Sequence, residues 1–159
     1  MWYPYIVFAV TLGLFSLSGL LWPADRSWYA SLSKPVWSPP AKWNGITQAV
    51  LYALLAASVA MVYIKSDSFQ DIAPVWILAL FANYGCNQAY HYFEFHQKKL
   101  FAGFLASFAV AASACLLLIE TIPYSKLAAG LIMPYLLWSC FAALLPWTIF
   151  TLNRDDAEA

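Results

Sequence analysis

The chain has 159 residues and is strongly apolar: 63% of its residues are hydrophobic, 10% are charged, and its mean hydropathy is +0.66. Soluble domains are about 45–50% apolar and about 25% charged, so this composition excludes an ordinary soluble domain and predicts a membrane protein. Eight basic and eight acidic residues give a net charge of zero, which argues against nucleic acid as a partner.

Five runs without a charged residue follow one another along the chain. They cover residues 1–24, 43–64, 72–93, 100–119 and 127–153. Each reaches the roughly 20 residues that a helix needs to cross the hydrocarbon core. We therefore predict an all-α, polytopic membrane protein with five transmembrane helices, at about 3–22, 44–64, 72–94, 99–120 and 124–152. These form one domain over residues 1–153, and residues 154–159 form an acidic tail. The first run lacks the basic start of a signal peptide, so we expect it to be retained.

The connection between the first two runs is long and rich in proline and aromatic residues. It contains the stretch "WYASLSKPVWSPP", residues 28–40. Its three prolines restrict the backbone, and its Trp and Tyr side chains supply surface to bury, so a rigid flap over one end of the bundle is one interpretation. The other is a row of aromatic anchors at the membrane interface, which explains the aromatic residues but not the prolines.

Polar side chains are concentrated in the third run, in "NYGCNQAYHYFEF". Helical spacing places Asn83, Asn87, Tyr90 and Glu94 on one stripe, with Gln88 on the adjacent one. Carboxamides at membrane depth need partners, so this face should point into the bundle. It then either forms hydrogen bonds with a mostly apolar ligand or joins neighbouring helices.

Metal binding and covalent catalysis find little support in the remaining polar residues. His91, Glu94 and His96 do not have a known ligand spacing, so we predict no metal site. The three cysteines are single and lie in different helices, which is typical of packing residues. The two glutamates nearest the spans lie at helix ends, which argues against a proton-coupled pump.

The fifth run contains "PYLLWSCFAALLPW", with a proline at each end. Each proline removes a backbone hydrogen bond and favours a kink, and Trp138 follows Pro134 by about one turn. A kink beside an indole can form the wall of a cavity. A lipid-facing Trp138 is the alternative, although its depth in the span disfavours an interfacial anchor.

Basic residues suggest the orientation. With five spans, six of the eight lie on the side of the first connection and the C-terminus, and only Lys65 and Lys126 lie on the other. The positive-inside rule then places the flap and the C-terminus in the cytoplasm and the N-terminus outside. Since no transit-like extension precedes the first run, we expect a multi-pass protein of a bacterial cell membrane.

Taken together, "WYASLSKPVWSPP", the five apolar helices, "NYGCNQ" and "PYLLWSCFA" resemble the TspO/MBR family of tryptophan-rich sensory proteins and translocator proteins (peripheral benzodiazepine receptors), in its bacterial form. The resemblance covers the chain up to Asn153. It implies a five-helix bundle, often a homodimer, in which the first loop is the lid of a cavity. It implies no built-in cofactor, and ligands that include protoporphyrin IX, other tetrapyrroles, isoquinoline carboxamides and, in animal members, cholesterol.

The resemblance also implies a set of ligand-binding residues. They are Tyr29, Trp37 and Pro39 from the lid, Gln48, Tyr52, Asn83, Asn87, Gln88 and Tyr90 from the walls, and Trp138 and Ala142 from the fifth helix. Some family members degrade protoporphyrin in light and oxygen, a reaction linked to two cavity tryptophans. Trp138 corresponds to one of them, and Gln48 stands where the second is usual.

The replacement of the second tryptophan by Gln48 determines the order in which we expect the possible functions. Gln48 can still contact a ligand, but a carboxamide is not oxidisable, so a tetrapyrrole-binding protein in porphyrin handling or stress sensing is the first expectation. A light- and oxygen-dependent porphyrin-degrading enzyme, with Trp138 as the photochemical residue, is the second. A facilitative porphyrin transporter is a third, and a scaffold that binds no ligand is the last. The end of the fifth helix lacks the Tyr of a sterol motif, so we do not expect cholesterol transport.

Overall fold

The chain forms a bundle of long helices, seen in a computed structural model that describes residues 1–23 and 25–154. The long helices are α1 (Tyr3–Leu21), α3 (Ala41–Lys65), α4 (Pro74–His91), α5 (Leu100–Thr121) and α6 (Lys126–Leu152). A short helix, α2 (Arg26–Ser31), lies in the first connection, and a π-helical turn, Tyr92–His96, continues α4. The predicted acidic tail beyond Arg154 lies outside the described residues.

Local sequence signals determine where several helices begin. Pro4 and Pro74 stand in the first turns of α1 and α4, where a missing N–H costs nothing. Asp25 caps α2 by accepting a hydrogen bond from the Trp28 N–H, and Ser125 caps α6 in the same way from the Ala128 N–H. Helix α6 runs through both Pro134 and Pro146, so neither proline ends it.

The expected fold class, an all-α polytopic membrane protein, is confirmed. Within the described residues, four helices are long and apolar enough to cross a membrane: α1, the Trp43–Lys65 part of α3, α5 and α6. Helix α4 is the fifth long helix of the bundle and packs against α5. It is less apolar because its sequence includes Asn83, Asn87, Gln88 and His91.

One half of the bundle, away from the first connection, contains a tightly packed core. Leu55, Val62, Ala114 and Leu117 are completely buried there, and Ile132 is almost so. Polar pairs join helices inside this half. The Trp76 indole donates to Thr121 Oγ1 at 2.9 Å, and Ser58 Oγ donates to the Ala128 carbonyl at 2.8 Å. We call this half the core end.

The middle of the bundle is crossed by two carboxamides of α4. Asn83 accepts a hydrogen bond from the Tyr135 hydroxyl at 3.0 Å and donates to the Val110 carbonyl at 3.1 Å, so it joins α4 to α6 and α5. Asn87 pairs with the Tyr52 hydroxyl, which lies 2.9 Å from its Nδ2, and so joins α4 to α3. These pairs form a polar floor, Asn83–Tyr135 and Asn87–Tyr52, above which the packing changes.

Candidate ligand-binding cavity

Beyond the polar floor, the helices enclose a cavity instead of a core. Its volume is about 1000 Å³, and it lies between α1, α3, the end of α4 and α6. This is the upper end of the usual range for small-molecule sites, about 300–1,000 Å³. Aromatic side chains dominate the wall: they are Trp22, Tyr29, Tyr52, Tyr90, Phe95, Trp138 and Phe141. Flat apolar molecules are the natural occupants of such a space.

The first connection closes this end of the bundle, and we call residues 25–40 the lid. Tyr29, Lys34, Pro35 and Pro39 of the lid line the cavity. Within the lid, the Lys34 ammonium donates to the carbonyl of Tyr29 at 2.7 Å and to that of Leu32 at 3.1 Å, which ties the end of α2 to the proline-rich stretch. The proline-rich flap of the sequence interpretation is therefore an ordered cover with its own internal bonds.

One tether fixes the lid to the end of α6 through the Asn153 side chain. Its Oδ1 accepts a hydrogen bond from the Ser33 N–H at 2.9 Å, and its Nδ2 donates to the Ser33 carbonyl at 2.9 Å and to the Ile149 carbonyl at 2.7 Å. Asn153 is buried. One carboxamide thus satisfies both backbone groups of a lid residue.

A second tether fixes the lid to the connection between α4 and α5. Lys98 Nζ pairs with Asp25 Oδ2 at 3.0 Å, and its ammonium lies 5.8 Å from the centre of the Trp28 ring. Hydrogen bonds from the Ser27 hydroxyl and the Trp28 N–H, and then the Lys98 ammonium, hold the pKa of Asp25 well below its usual range. Lys98 adopts a φ of 55°, a left-handed conformation that is uncommon for a lysine. This tether is exposed, so salt weakens it.

A small annex lies at the base of the cavity, next to the polar floor. Its volume is about 20 Å³, enough for one water molecule or one polar group of a ligand. Asn87, Ser107, Tyr135 and Ser139 contribute hydroxyl and amide groups to its wall. The annex is thus a small, partly polar space beside the polar floor.

Most residues of the predicted ligand-binding set lie together in the structure. Those that line the main cavity are Tyr29, Pro39, Gln48, Tyr52, Tyr90, Trp138 and Ala142. Gln48, Tyr90, Trp138 and Ala142 also line the annex, so they mark the passage between the two spaces. Asn87 lines the annex.

Three residues of the predicted set lie outside the described lining of both spaces. Asn83 is buried in the polar floor, where its hydrogen bonds join three helices. Gln88 points toward α1, with Nε2 3.4 Å from the Leu14 carbonyl. Trp37 packs its ring against Phe141, a cavity residue, at 5.5 Å between centroids. Of the two alternatives for the carboxamides, the joining of neighbouring helices therefore holds for both Asn83 and Asn87, and Asn87 in addition borders the annex.

Several cavity residues had no part in the site predicted from sequence. Trp22 at the end of α1, Arg26 in the lid, His91 in the last turn of α4, and Glu94 at the end of the α4 stripe all line the main cavity. Glu94 was predicted to lie on the stripe that faces the bundle, but His91 and Glu94 were named individually only as possible metal ligands, together with His96. His96 is exposed and stacks on Tyr92 at 5.2 Å, and the described residues contain no group of three potential metal-ligating side chains. The helical stripe that includes Glu94 was the available signal.

The geometry defines a class of protein: a multi-pass helical membrane protein with a lidded cavity at one end of the bundle. The sequence profile of the TspO/MBR family matches residues 5–152. The chain belongs to the TspO/MBR family, as the sequence resemblance predicted.

Individual relatives agree with this assignment. The chain is 45% identical to the tryptophan-rich protein TspO of Bacillus cereus over 148 residues, which are 93% of this chain and 95% of that protein. It is 45% identical to the membrane protein YtaB of Bacillus subtilis over 147 residues, 92% of this chain and 94% of that protein. It is 27% identical to the human translocator protein over 155 residues, 96% of this chain and 92% of that protein.

Proposed function

We propose that the protein binds tetrapyrroles such as protoporphyrin IX, and isoquinoline carboxamides, in the lidded cavity, and that it acts in porphyrin handling or stress sensing. The observation that carries this proposal is the size and aromatic lining of the cavity, about 1000 Å³ beneath the lid. A flat macrocycle buries a large apolar area against such walls, and stacking on Trp138 adds to the affinity.

The charges at the mouth of the cavity suit a ligand with carboxylate groups at one edge. Arg26 and Lys34 both line this end. The Lys34 ammonium is already occupied by two backbone carbonyls, whereas the Arg26 side chain is exposed and forms no ion pair with any described residue. A guanidinium can bind a carboxylate through two parallel hydrogen bonds. We therefore place the acidic edge of a porphyrin beneath the lid and its apolar edge toward Trp138.

A titration in the dark tests this proposal. Protoporphyrin IX is added to the purified protein in detergent, and quenching of tryptophan fluorescence is followed for wild type, Trp138→Phe and Trp2→Phe. Trp2 is 78% exposed at the far end of α1, so it serves as the matched control. We expect saturable quenching, an affinity at least about threefold weaker in Trp138→Phe, and an unchanged affinity in Trp2→Phe. Equal affinities in all three proteins would remove Trp138 from the site.

Light-dependent porphyrin degradation is a second candidate, supported by one feature of the cavity. Gln48 and Trp138 both line the main cavity and the annex, so a ligand lying between these spaces can contact both positions. Only one of the two is an oxidisable indole. We expect Gln48→Trp to raise the rate of porphyrin loss under illumination in air, with Asn44→Trp, another cavity position of α3, as the control. No gain would show that the second indole is not the limiting feature.

We also propose that the protein lies in a cell membrane with the lid facing the cytoplasm, on the basis of the basic residues at the lid end. Single cysteines introduced into a cysteine-free variant test this. Val36→Cys places a thiol at a fully exposed lid position, and Asp67→Cys places one in the exposed connection at the core end. In intact cells, an impermeant maleimide should label only the second. Labelling of the first alone would reverse the orientation.

Finally, we propose a homodimer in the membrane. Helix α1 supports it, because only Phe15 and Ser18 of this helix are buried within one chain. Gly103 of α5 packs against Glu94 of the same chain, so this small residue is used within the bundle and not between protomers. Crosslinking in native membranes through single cysteines along α1 should give a dimer with a helical periodicity. Crosslinking that is equal at all positions would indicate random collision.

A further inference from the structure

Glu94 is a buried acidic side chain with one unpaired oxygen. It lies in the π-helical turn after α4, lines the main cavity, and is 2% exposed. Its Oε2 atom accepts no hydrogen bond from any described residue. Buried polar atoms are nearly always paired, and an unpaired one lowers stability by about 1–3 kcal/mol, more when the group is charged. Such an atom in a cavity wall points to a ligand group that supplies the missing bond.

Among the side chains that the structure describes, which leave out those of residues 41 and 42, no basic group forms an ion pair with Glu94. The ion pair found among them joins Asp25 to Lys98. Lys34 donates to two backbone carbonyls, and the exposed Arg26 remains at the mouth of the cavity. The polar groups that interact with Glu94 are the phenols of Tyr29 and Tyr90. An ionised Glu94 therefore has no counter-charge among the described side chains, and a cationic group of a bound molecule can supply one.

A second acceptor lies beside Glu94. His91 is one turn earlier and also lines the cavity. Its Nδ1 atom is 2.9 Å from the Asn87 carbonyl oxygen, which can only accept, so Nδ1 carries the proton. In the neutral ring, Nε2 is then an acceptor. Two acceptors, Glu94 Oε2 and His91 Nε2, thus belong to the same wall beneath the lid.

The backbone prevents Glu94 from withdrawing toward α5. A Cβ atom added at Gly103 would lie 3.0 Å from the Glu94 Cβ and 3.4 Å from its Cα, so α5 is already in close contact at this point. The π-helical turn is held by hydrogen bonds from the Gln97 N–H to the Tyr92 carbonyl and from the Lys99 N–H to the Phe93 carbonyl. Isolated π-helical turns are frequent at functional sites. Packing against α5 therefore restricts Glu94 on one side, and on the other side Glu94 belongs to the cavity wall, with Oε2 buried in that wall.

We propose that this wall is a recognition site for an ammonium or N–H group of a flat, apolar ligand, with Glu94 Oε2 as the principal acceptor and His91 Nε2 as the second. The proposal deepens the proposed function and rests on it, since it requires that the cavity bind a small molecule. It assigns the cavity a preference for aromatic cations that is separate from the carboxylate contact assigned to Arg26.

Two fluorescent probes of the same shape test the preference. They are 9-(aminomethyl)anthracene, a cation at neutral pH, and 9-(hydroxymethyl)anthracene, its neutral counterpart. Both are titrated against wild type, Glu94→Gln and Glu120→Gln in detergent. Glu120 lies near the other end of α5 and outside the cavity, so it controls for the loss of one acidic group. Thermal unfolding of each variant is measured alongside.

In wild type and Glu120→Gln, we expect the ammonium probe to bind at least about tenfold more tightly than the alcohol, as is typical of a charge-assisted hydrogen bond. In Glu94→Gln, the two probes should bind with similar affinity, because the amide carries no charge. Glu94→Asp retains the charge and should retain a smaller preference. If Glu94→Gln does not fold, the comparison of Glu94→Asp with wild type replaces it.

Equal affinity of the two probes for wild type, failure of the ammonium probe to bind, or an unchanged preference in Glu94→Gln would each overturn this inference. Titration with protoporphyrin IX separates it from the proposed function. A protein that prefers the ammonium probe but does not bind the porphyrin would contradict the proposed ligand and leave the recognition site intact. A protein that binds the porphyrin but shows no preference between the probes would support the proposed ligand and contradict the recognition site.

Discussion

The two ends of the bundle are built from the same helices but differ in packing: one end is a core and the other encloses a cavity. At the core end, α3 contributes a run of buried residues that begins at Leu51, and α6 contributes Ala128 and Ile132. At the lid end, no residue of 43–50 in α3 is buried, and the space is a cavity of about 1000 Å³. The packed core and the proposed ligand site therefore lie in different segments, and the polar floor separates them. Substitutions at the two ends should have separable effects.

The largest expected effect is on stability, at the core end. Leu117 is completely buried. Leu117→Ala should lower the free energy of unfolding by about 2–5 kcal/mol, because it removes packed methyl groups and leaves a void. Unfolding in detergent measures this, with the neighbouring Leu116→Ala as control, since Leu116 is 42% exposed. Porphyrin affinity should stay within about twofold of wild type. A parallel loss of affinity would mean that the two ends are not separable.

An intermediate effect is expected at the buried tether of the lid. Asn153→Ala removes the bonds to Ser33 and Ile149 and leaves backbone groups of the lid unpaired. The two bonds to Ser33 hold the lid, and at about 1 kcal/mol each we expect their loss to raise the dissociation rate of bound porphyrin by up to about thirtyfold. Stopped-flow chase experiments measure this rate. Thr151→Ala, at an exposed position two residues earlier, should leave it unchanged; an equal rise in both variants would show a general effect on α6.

The smallest effect is expected at the exposed tether. Lys98→Ala removes the ion pair with Asp25 but keeps a non-glycine residue at the positive φ, so it tests the charge alone. We expect at most about a threefold rise in the dissociation rate, which disappears at high salt. Lys99→Ala is the control. An effect as large as that of Asn153→Ala would mean that this ion pair, and not the carboxamide, secures the lid.

The exposed tether also has an expected pH dependence. The pKa of Asp25 lies below its usual range, so its carboxylate is charged throughout the neutral and mildly acidic range, and the contribution of the ion pair is lost only as the pH falls through that lowered value. The ratio of the dissociation rates of Lys98→Ala and wild type should therefore be the same at pH 5 and pH 8. A fall of this ratio between pH 6 and pH 5 would assign the tether to another group.

The contrast between the two ends also explains what the sequence could predict. The length of the uncharged runs was enough to predict the long helices, and the prolines of the first connection were enough to predict an ordered flap. The stripe on α4 correctly faced the bundle, but spacing alone could not separate Asn83 from Asn87, because the partner helix decides the role of each amide. The Asn83 side chain pairs with Tyr135 and that of Asn87 with Tyr52, but only Asn87 also borders the annex. Glu94 was taken as a helix end, and the close contact at Gly103 that buries it depends on tertiary packing.

A structure of the protein crystallised with protoporphyrin IX from a lipidic phase tests the central claim most directly. We expect the macrocycle beneath the lid, in contact with Trp138 and Gln48, while the core end keeps its packing. A macrocycle bound on the lipid-facing surface, for example along α1, with the cavity free of it, would contradict the proposed function.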